Sequence, residues 1–204
     1  MADHAKDENA LHKEVMQKTQ AEMKAKLAEK EDAGRGLVLV HTGKGKGKSS
    51  SAFGVVVRAL GWGQKVGVVQ FIKGKWKTGE RIFFKKLGTV DWHTMGDGFT
   101  WNTQDKARDI EAAQAAFAKG CEMMASGEYD LIVLDEINIA MRYDYLSTEL
   151  VLEGLKARAE KTSVVLTGRD AKPELCDYAD LVTEMTEVKH PFKAGIKAQR
   201  GVDF

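Results

Sequence analysis

Beyond Gly36 the chain alternates between short, nearly unbroken apolar runs and longer stretches of helical period. Leu37-Val38-Leu39-Val40 is an apolar run that ends at a glycine turn, and a helix-like stretch follows from Lys48 to Leu60. Val66 to Ile72 reads as a second buried strand, and a loop-rich region from Lys73 to Thr103 contains one short strand near Val90. Ile110, Ala113, Phe117, Cys121 and Met124 then recur at three and four, which marks one apolar helix face with Cys121 as core filler. Leu131 to Leu134 and Ser163 to Thr167 are two further strands, with helices near Ser147 to Glu160 and Pro173 to Tyr178. Strands of continuous Val, Ile and Leu alternating with helices predict an α/β domain whose mostly parallel sheet carries helices on both faces.

Residues 1–34 follow a different rule. They are rich in Lys, Glu, Ala and Gln, and Leu11, Val15, Met16, Met23 and Leu27 give only a thin apolar stripe before Ala33-Gly34-Arg35-Gly36 stops the helix. The expected organisation is a charged helical arm over 1–34 and one compact domain over 35–204. The arm reads equally as a solvated appendage or as a helix that docks over a site or a neighbouring subunit.

Composition changes this picture little. The chain has 204 residues, with 31 Lys plus Arg against 30 Asp plus Glu. Total charge therefore excludes a polybasic nucleic-acid binder. No apolar stretch reaches membrane-span length, and the charged N-terminus is unlike a secretory signal. Two cysteines, Cys121 and Cys176, cannot build a disulfide scaffold or a four-thiolate zinc site. These features fit a reduced cytoplasmic protein with no membrane or nucleic-acid partner. Charge distribution says more than charge total. Gly43 to Val90 holds eleven Lys or Arg and the single acid Glu80, whereas Trp101 to Glu160 holds twelve acids and six bases. So one-sided a segment, rich in glycine, suggests a polyphosphate.

Thr42-Gly43-Lys44-Gly45-Lys46-Gly47-Lys48-Ser49 locates that polyphosphate. It ends in the Gly-Lys-Ser of a phosphate-binding loop and lies between a strand and a helix. Glycines let successive N–H groups turn toward phosphate oxygens, and the helix adds its unpaired N–H groups and positive end. Lys48 reaches the terminal phosphates, and the Ser49 hydroxyl helps hold Mg²⁺ (or Mn²⁺). The first position of the usual pattern holds Thr42 rather than glycine, which predicts a tighter loop or a differently seated triphosphate. Leu131 to Leu134 ends in Asp135-Glu136. A strand of this kind brings an acid to the same Mg²⁺, directly or through water.

The loop, extended through Ser50-Ser51-Ala52-Phe53-Gly54, resembles that of corrinoid adenosyltransferases of the CobA/CobO/BtuR type. Val68 to Gly74, Gly98-Phe99-Thr100-Trp101, Leu134-Asp135-Glu136 and Val165 to Arg169 are similar too, as are Val188 to Phe192 and Gly195 to Asp203. The likeness runs from Gly36 to Phe204. It implies a phosphate-loop NTPase fold of RecA-like kind, and transfer of the 5′-deoxyadenosyl group of ATP to the Co(I) of a reduced corrinoid, with triphosphate released. Thr42 to Ser50 then bind ATP with Arg58 and Arg169, Ser49 and Glu136 hold the metal, and Asp135 orients that metal's shell. Lys48, Phe99 and Trp101 are the expected catalytic residues, the two aromatics pressing on the lower corrin face so that cobalt loses its axial ligand. A homodimer and a reduced flavoprotein electron donor are implied in the same way, and the arm over 1–34 would cover the corrin.

Three other readings compete. Asp91-Trp92-His93-Thr94-Met95-Gly96 fits an Asp-x-His-x-x-Gly pattern that offers histidine to cobalt, but such a ligand opposes the four-coordinate state the aromatics create. His93 is therefore read as a polar loop residue. A RecA-like small-molecule kinase and a nucleic-acid-stimulated ATPase would use the same loop, yet neither accounts for Phe99 and Trp101.

Overall fold

The computed structural model describes residues 2–71, 77–94 and 106–204, with side chains from residue 9 onward. The chain divides into two compact units, Met1–Gly34 and Arg35–Phe204. The first is one helix, α1 (Ala2–Ala28), whose apolar residues Leu11, Val15, Met16, Met23 and Leu27 are all exposed.

The second unit is built on β1 (Val38–Thr42), β2 (Val66–Gln70), β3 (Val90–Thr94), β4 (Leu131–Asp135), β5 (Ser163–Thr167) and β6 (Leu181–Glu184). Every pairing is parallel, in the order β3-β2-β4-β5-β1-β6. The connecting helices are α2 (Lys48–Gly61), α3 (Gly79–Leu87), α4 (Lys106–Ala125), α5 (Ile137–Arg142), α6 (Thr148–Lys156) and α7 (Pro173–Tyr178). Successive strand residues go to opposite faces. Ile132 and Leu134 join Phe117, Met124 and Leu155 in one core, while Leu131 and Val133 join Phe53, Val56 and Phe84 in the other. Cys121 packs at the edge of the first of these cores, as its spacing predicted.

Besides the six-residue α5, two elements depart from expectation. The region from Lys73 contains α3, capped by the Thr78 hydroxyl on the Arg81 N–H and stopped by Gly88 at φ 67°. Its Phe84 packs against Phe53 and Trp92. The sheet also gains β6, a short and largely exposed edge strand beside β1. His93 lies in β3 rather than in a loop, and the carboxylate of Asp91 accepts a hydrogen bond from Tyr129 at 2.8 Å.

A parallel sheet sends all its carboxyl ends to one edge. Thr42, Gln70, Asp135 and Thr167 therefore finish side by side there, and α2 starts from the same edge.

Candidate active site

Thr42 explains its own presence in the loop. Its hydroxyl accepts from the Ala171 N–H at 3.0 Å, a bond no glycine could make, and its carbonyl accepts from Met185 N–H at 2.8 Å. Gly43 takes the left-handed turn instead, at φ 95°. A Cβ on Gly43 would lie 2.5 Å from the Met185 carbonyl oxygen, and one on Gly45 would lie 2.7 Å from that of Thr186. The Gly45 N–H donates to Met185 O at 2.7 Å. Close approach of the chain after β6 thus requires two of the loop glycines, and that contact takes the Gly45 N–H. Gly47, at φ 109°, caps α2 and is required for its conformation rather than for space.

Lys48 opens α2 and is buried, with its ammonium donating to the Gly45 carbonyl. Burial holds its pKa below the usual lysine range; the Glu136 carboxylate opposes that shift, and the charges of Arg169 and Lys46 add to it. A cation short of solvent and crowded by other cations favours an arriving polyanion. No acid in the first turn of α2 offsets its positive end. Ser49 is half-buried in that turn, while Ser50 and Lys44 are exposed. Lys46 pairs with Asp203 at 2.7 Å.

Ser51 carries a contact that the sequence does not advertise. Its hydroxyl donates to the Lys48 carbonyl at 2.9 Å and lies 2.8 Å from Nδ1 of buried His41. With the Ser51 proton committed, the imidazole carries its hydrogen on Nδ1 and donates. Burial lowers the His41 pKa, so a neutral ring backs the first turn of α2.

The carboxylates divide the work. Asp135 is fully buried, with Oδ2 accepting from Gln70 Nε2 at 2.8 Å and Oδ1 accepting from the Thr167 hydroxyl at 2.8 Å. Glu136 is half-buried, adopts φ 64° at the start of α5, and is the carboxylate whose charge acts most on Lys48. Beside them, Asn138 Nδ2 donates to Gly168 O at 3.1 Å, and the Gly168 N–H donates to His41 O at 3.2 Å. This fastening sets out Arg169, which is exposed and whose charge reaches Lys48.

Lys48, Ser49, Asp135, Glu136 and Arg169 thus converge on one edge of the sheet. Arg58 does not join them: it sits in the last turn of α2, about 15 Å along the helix from Lys48. Phe99 and Trp101 lie outside the described residues. Among the described residues no group of three or more His, Cys, Asp or Glu side chains could hold a metal ion. A hydroxyl and a carboxylate beside a phosphate site do suit a hard cation that takes its remaining ligands from phosphate and water.

Residues 34–204 match the family model for ATP:corrinoid adenosyltransferase BtuR/CobO/CobP. A corrinoid adenosyltransferase of Pseudomonas aeruginosa is 51% identical over 199 residues, covering 97% of this chain and 98% of that protein. The corrinoid adenosyltransferase CobA of Salmonella typhimurium is 42% identical over 193 residues, covering 95% and 97%. An Escherichia coli K12 relative of the same description is 40% identical over the same shares. A desolvated lysine at a helix start, a carboxylate beside it and a match along nearly the whole chain lead to one statement: this protein belongs to the CobA/CobO/BtuR family of ATP:corrinoid adenosyltransferases.

Proposed function

We propose that the carboxyl edge of the sheet, from Thr42 to Ser49 with Glu136 and Arg169, is where this chain holds ATP for transfer of its 5′-deoxyadenosyl group to a corrinoid. The transfer itself is the reaction of the family to which the chain belongs. The observation that carries the site is the buried Lys48 at the start of α2, its charge coupled to Glu136 and crowded by Arg169 and Lys46.

The reaction does not need a protein nucleophile. Co(I) of the substrate attacks the ribose C5′, the C5′–O bond breaks, and triphosphate leaves with a charge of about −4. The chain's task is to neutralise that leaving group and to hold C5′ in line. Lys48 and the first N–H groups of α2 meet the phosphate oxygens, and Arg169 adds a second cation. Mg²⁺ (or Mn²⁺), held by Ser49 and Glu136, supplies further charge neutralisation when bound. Asp135 stays behind Glu136, both oxygens already engaged.

The reading extends to Phe99 and Trp101 as an apolar wedge against the lower corrin face, displacing the axial ligand and easing reduction to Co(I). It keeps Arg58 only as a nucleotide contact remote from the phosphates, since it lies about 15 Å along α2 from Lys48, and residues 1–34 as a cover for the corrin. It also includes a homodimer, a reduced flavoprotein as electron donor and a cytoplasmic site of action. The likeness of the motifs supports the wedge, Arg58, the homodimer and the electron donor, whereas the cover rests on the thin apolar stripe of residues 1–34 and the cytoplasmic site on the cysteine count and the charged N-terminus. Among the described residues, no helix is long and apolar enough to cross a membrane.

An anaerobic mixture of the protein, Mg-ATP and chemically reduced cob(I)alamin tests the assignment. The visible spectrum should convert to that of adenosylcobalamin while intact triphosphate accumulates. ADP and orthophosphate without a spectral change would replace it with a kinase or ATPase. In the same assay, Phe99→Ala with Trp101→Ala should keep ATP binding and lose turnover when the corrinoid is supplied as Co(II) with a reductant. Normal turnover would remove the wedge.

A further inference from the structure

We propose that Thr167 is a positioning residue for the metal-bearing carboxylate: its single hydroxyl fixes the peptide that aims Glu136 at the phosphate site. The proposal rests on the reading that Glu136 holds the metal of Mg-ATP.

Strand β5 ends in an exception. Val164, Val165 and Leu166 are fully buried and apolar, and Thr167, equally buried, ends the run with a hydroxyl. Valine has nearly the same shape and would bury no polar atom, so packing does not explain threonine here. Its bonds do. Leu134 and Leu166 are partners in the β4–β5 register, so Asp135 and Thr167 follow at the same level. The Thr167 hydroxyl donates to Asp135 Oδ1 at 2.8 Å and accepts from the Glu136 N–H at 2.9 Å. One proton and one lone pair are thereby assigned.

That second bond falls on an unusual peptide. Glu136 has φ 64°, a left-handed conformation that side chains with a Cβ rarely adopt. The peptide preceding it is held on both sides. The Asp135 carbonyl accepts from the Phe71 N–H at 3.0 Å, and the Glu136 N–H is taken by Thr167. The Glu136 carbonyl then accepts from Ile139 N–H at 3.1 Å and starts α5. Gln70 completes the device by holding the other oxygen of Asp135, which leaves Oδ1 to orient the threonine. Gln70, Asp135, Thr167 and the Glu136 peptide form one chain of hydrogen bonds across β2, β4 and β5. Its outcome is the direction of Glu136, the carboxylate whose charge acts most on Lys48. Strain maintained by surrounding bonds in this way is typical of functional sites.

The test compares Thr167→Val, Thr167→Ala and Thr167→Ser with Glu136→Gln in the full chain, by calorimetric ATP titration across Mg²⁺ concentrations and in EDTA. Loss of the hydroxyl should raise the Mg²⁺ concentration for half-maximal ATP binding by about 10- to 100-fold, as removal of a ligand-orienting partner does. ATP binding in EDTA should stay within about twofold, since the Lys48 side of the site is untouched. Thr167→Ser should restore the Mg²⁺ response, and Thr167→Ala serves if the valine disturbs folding. A Mg²⁺ response unchanged in the valine and alanine variants, with Glu136→Gln impaired, overturns the role of Thr167 and leaves the metal reading in place. Equal loss of ATP binding with and without metal overturns it in favour of a general scaffold role. An unchanged response in Glu136→Gln removes the metal reading and this proposal with it.

Discussion

The two edges of the sheet handle polar groups in opposite ways. At the amino edge, charged groups form pairs close to water. Arg35 forms a two-pronged pair with Asp180 at 2.9 and 2.5 Å, and Asp180 also accepts from Val38 N–H at 2.8 Å. Lys65 pairs with Glu128 at 2.7 Å, and Tyr129 donates to Asp91, its phenol pushed up to about 12 by burial first and by that carboxylate. At the carboxyl edge, polar groups are deep and incompletely served. Lys48 is desolvated, Gln70 Oε1 and Asn138 Oδ1 have no hydrogen-bond partner among the described residues, and Glu136 and Asp170 sit in the left-handed region at φ 64° and 56°. Such features cost stability and persist where function requires them. The amino edge closes the fold, and the carboxyl edge keeps groups poised for a ligand.

Exchanging lysines between the edges gives the sharpest contrast. Lys48→Ala should lower kcat/KM by about 10²–10³-fold or more, the scale for removing one preorganised donor from a developing charge. Thermal stability should hold or rise, because a desolvated cation is removed. Lys65→Ala should leave kcat/KM unchanged and lower only the midpoint of thermal unfolding. Steady-state kinetics beside a thermal melt reads both, and similar kinetic losses in the two variants would break the comparison.

The same contrast decides what could be read from the sequence. The runs that became β1, β2, β4 and β5 are apolar on both faces, so their burial was visible without knowing their neighbours. The loop and Asp135-Glu136 were visible because their chemistry is written in consecutive residues. α3 was not, since Phe83 and Phe84 suit a strand as well as a helix and only Thr78 and Gly88 mark its ends. β6 was too short and too exposed to stand out. Gln70 and Thr167 meet Asp135 because β2 and β5 flank β4, and strand order is not a local property of sequence. His41 was hidden in the same way, as one polar residue in an apolar strand whose partner lies ten positions on, across the loop.

Titration separates the edges by pH. Asp180 is held at about 2, chiefly by its hydrogen bond from Arg35. Its contribution is complete above about pH 4 and is lost as pH falls through 4 toward 2. Asp180→Asn should therefore lower the melting midpoint at neutral pH, flatten that acid limb and leave ATP binding alone. His41 responds at milder pH. Its folded pKa is depressed by burial, so on acidification the unfolded chain takes up the proton first. Stability from His41 is complete above about 6.5 and declines as pH falls from there. His41→Asn should remove that decline and weaken ATP binding, because His41 backs the first turn of α2. Melts from pH 3 to 8 with ATP titrations at pH 7.5 check both. An ATP effect from Asp180→Asn, or none from His41→Asn, would contradict the division.

The smallest effect expected is at Lys46, where a surface-type ion pair sits on the functional edge. Asp203 pairs with Lys46 at 2.7 Å, its Oδ2 accepts from Gln199 N–H at 2.7 Å, and its pKa is lowered, first by the hydrogen bond to Lys46. The pairing partly neutralises a loop cation in the neighbourhood proposed to receive the phosphates of ATP. Asp203→Asn removes that competition, so ATP should bind a few-fold more tightly at low ionic strength. The gain should shrink as salt approaches 1 M, where the screening length falls to about 3 Å. Titrations at two salt concentrations read this directly. Weaker binding at both would mean that the carboxylate's anchoring of Lys46 outweighs its charge, and that the last residues of the chain, like the amino edge, serve to hold the fold together.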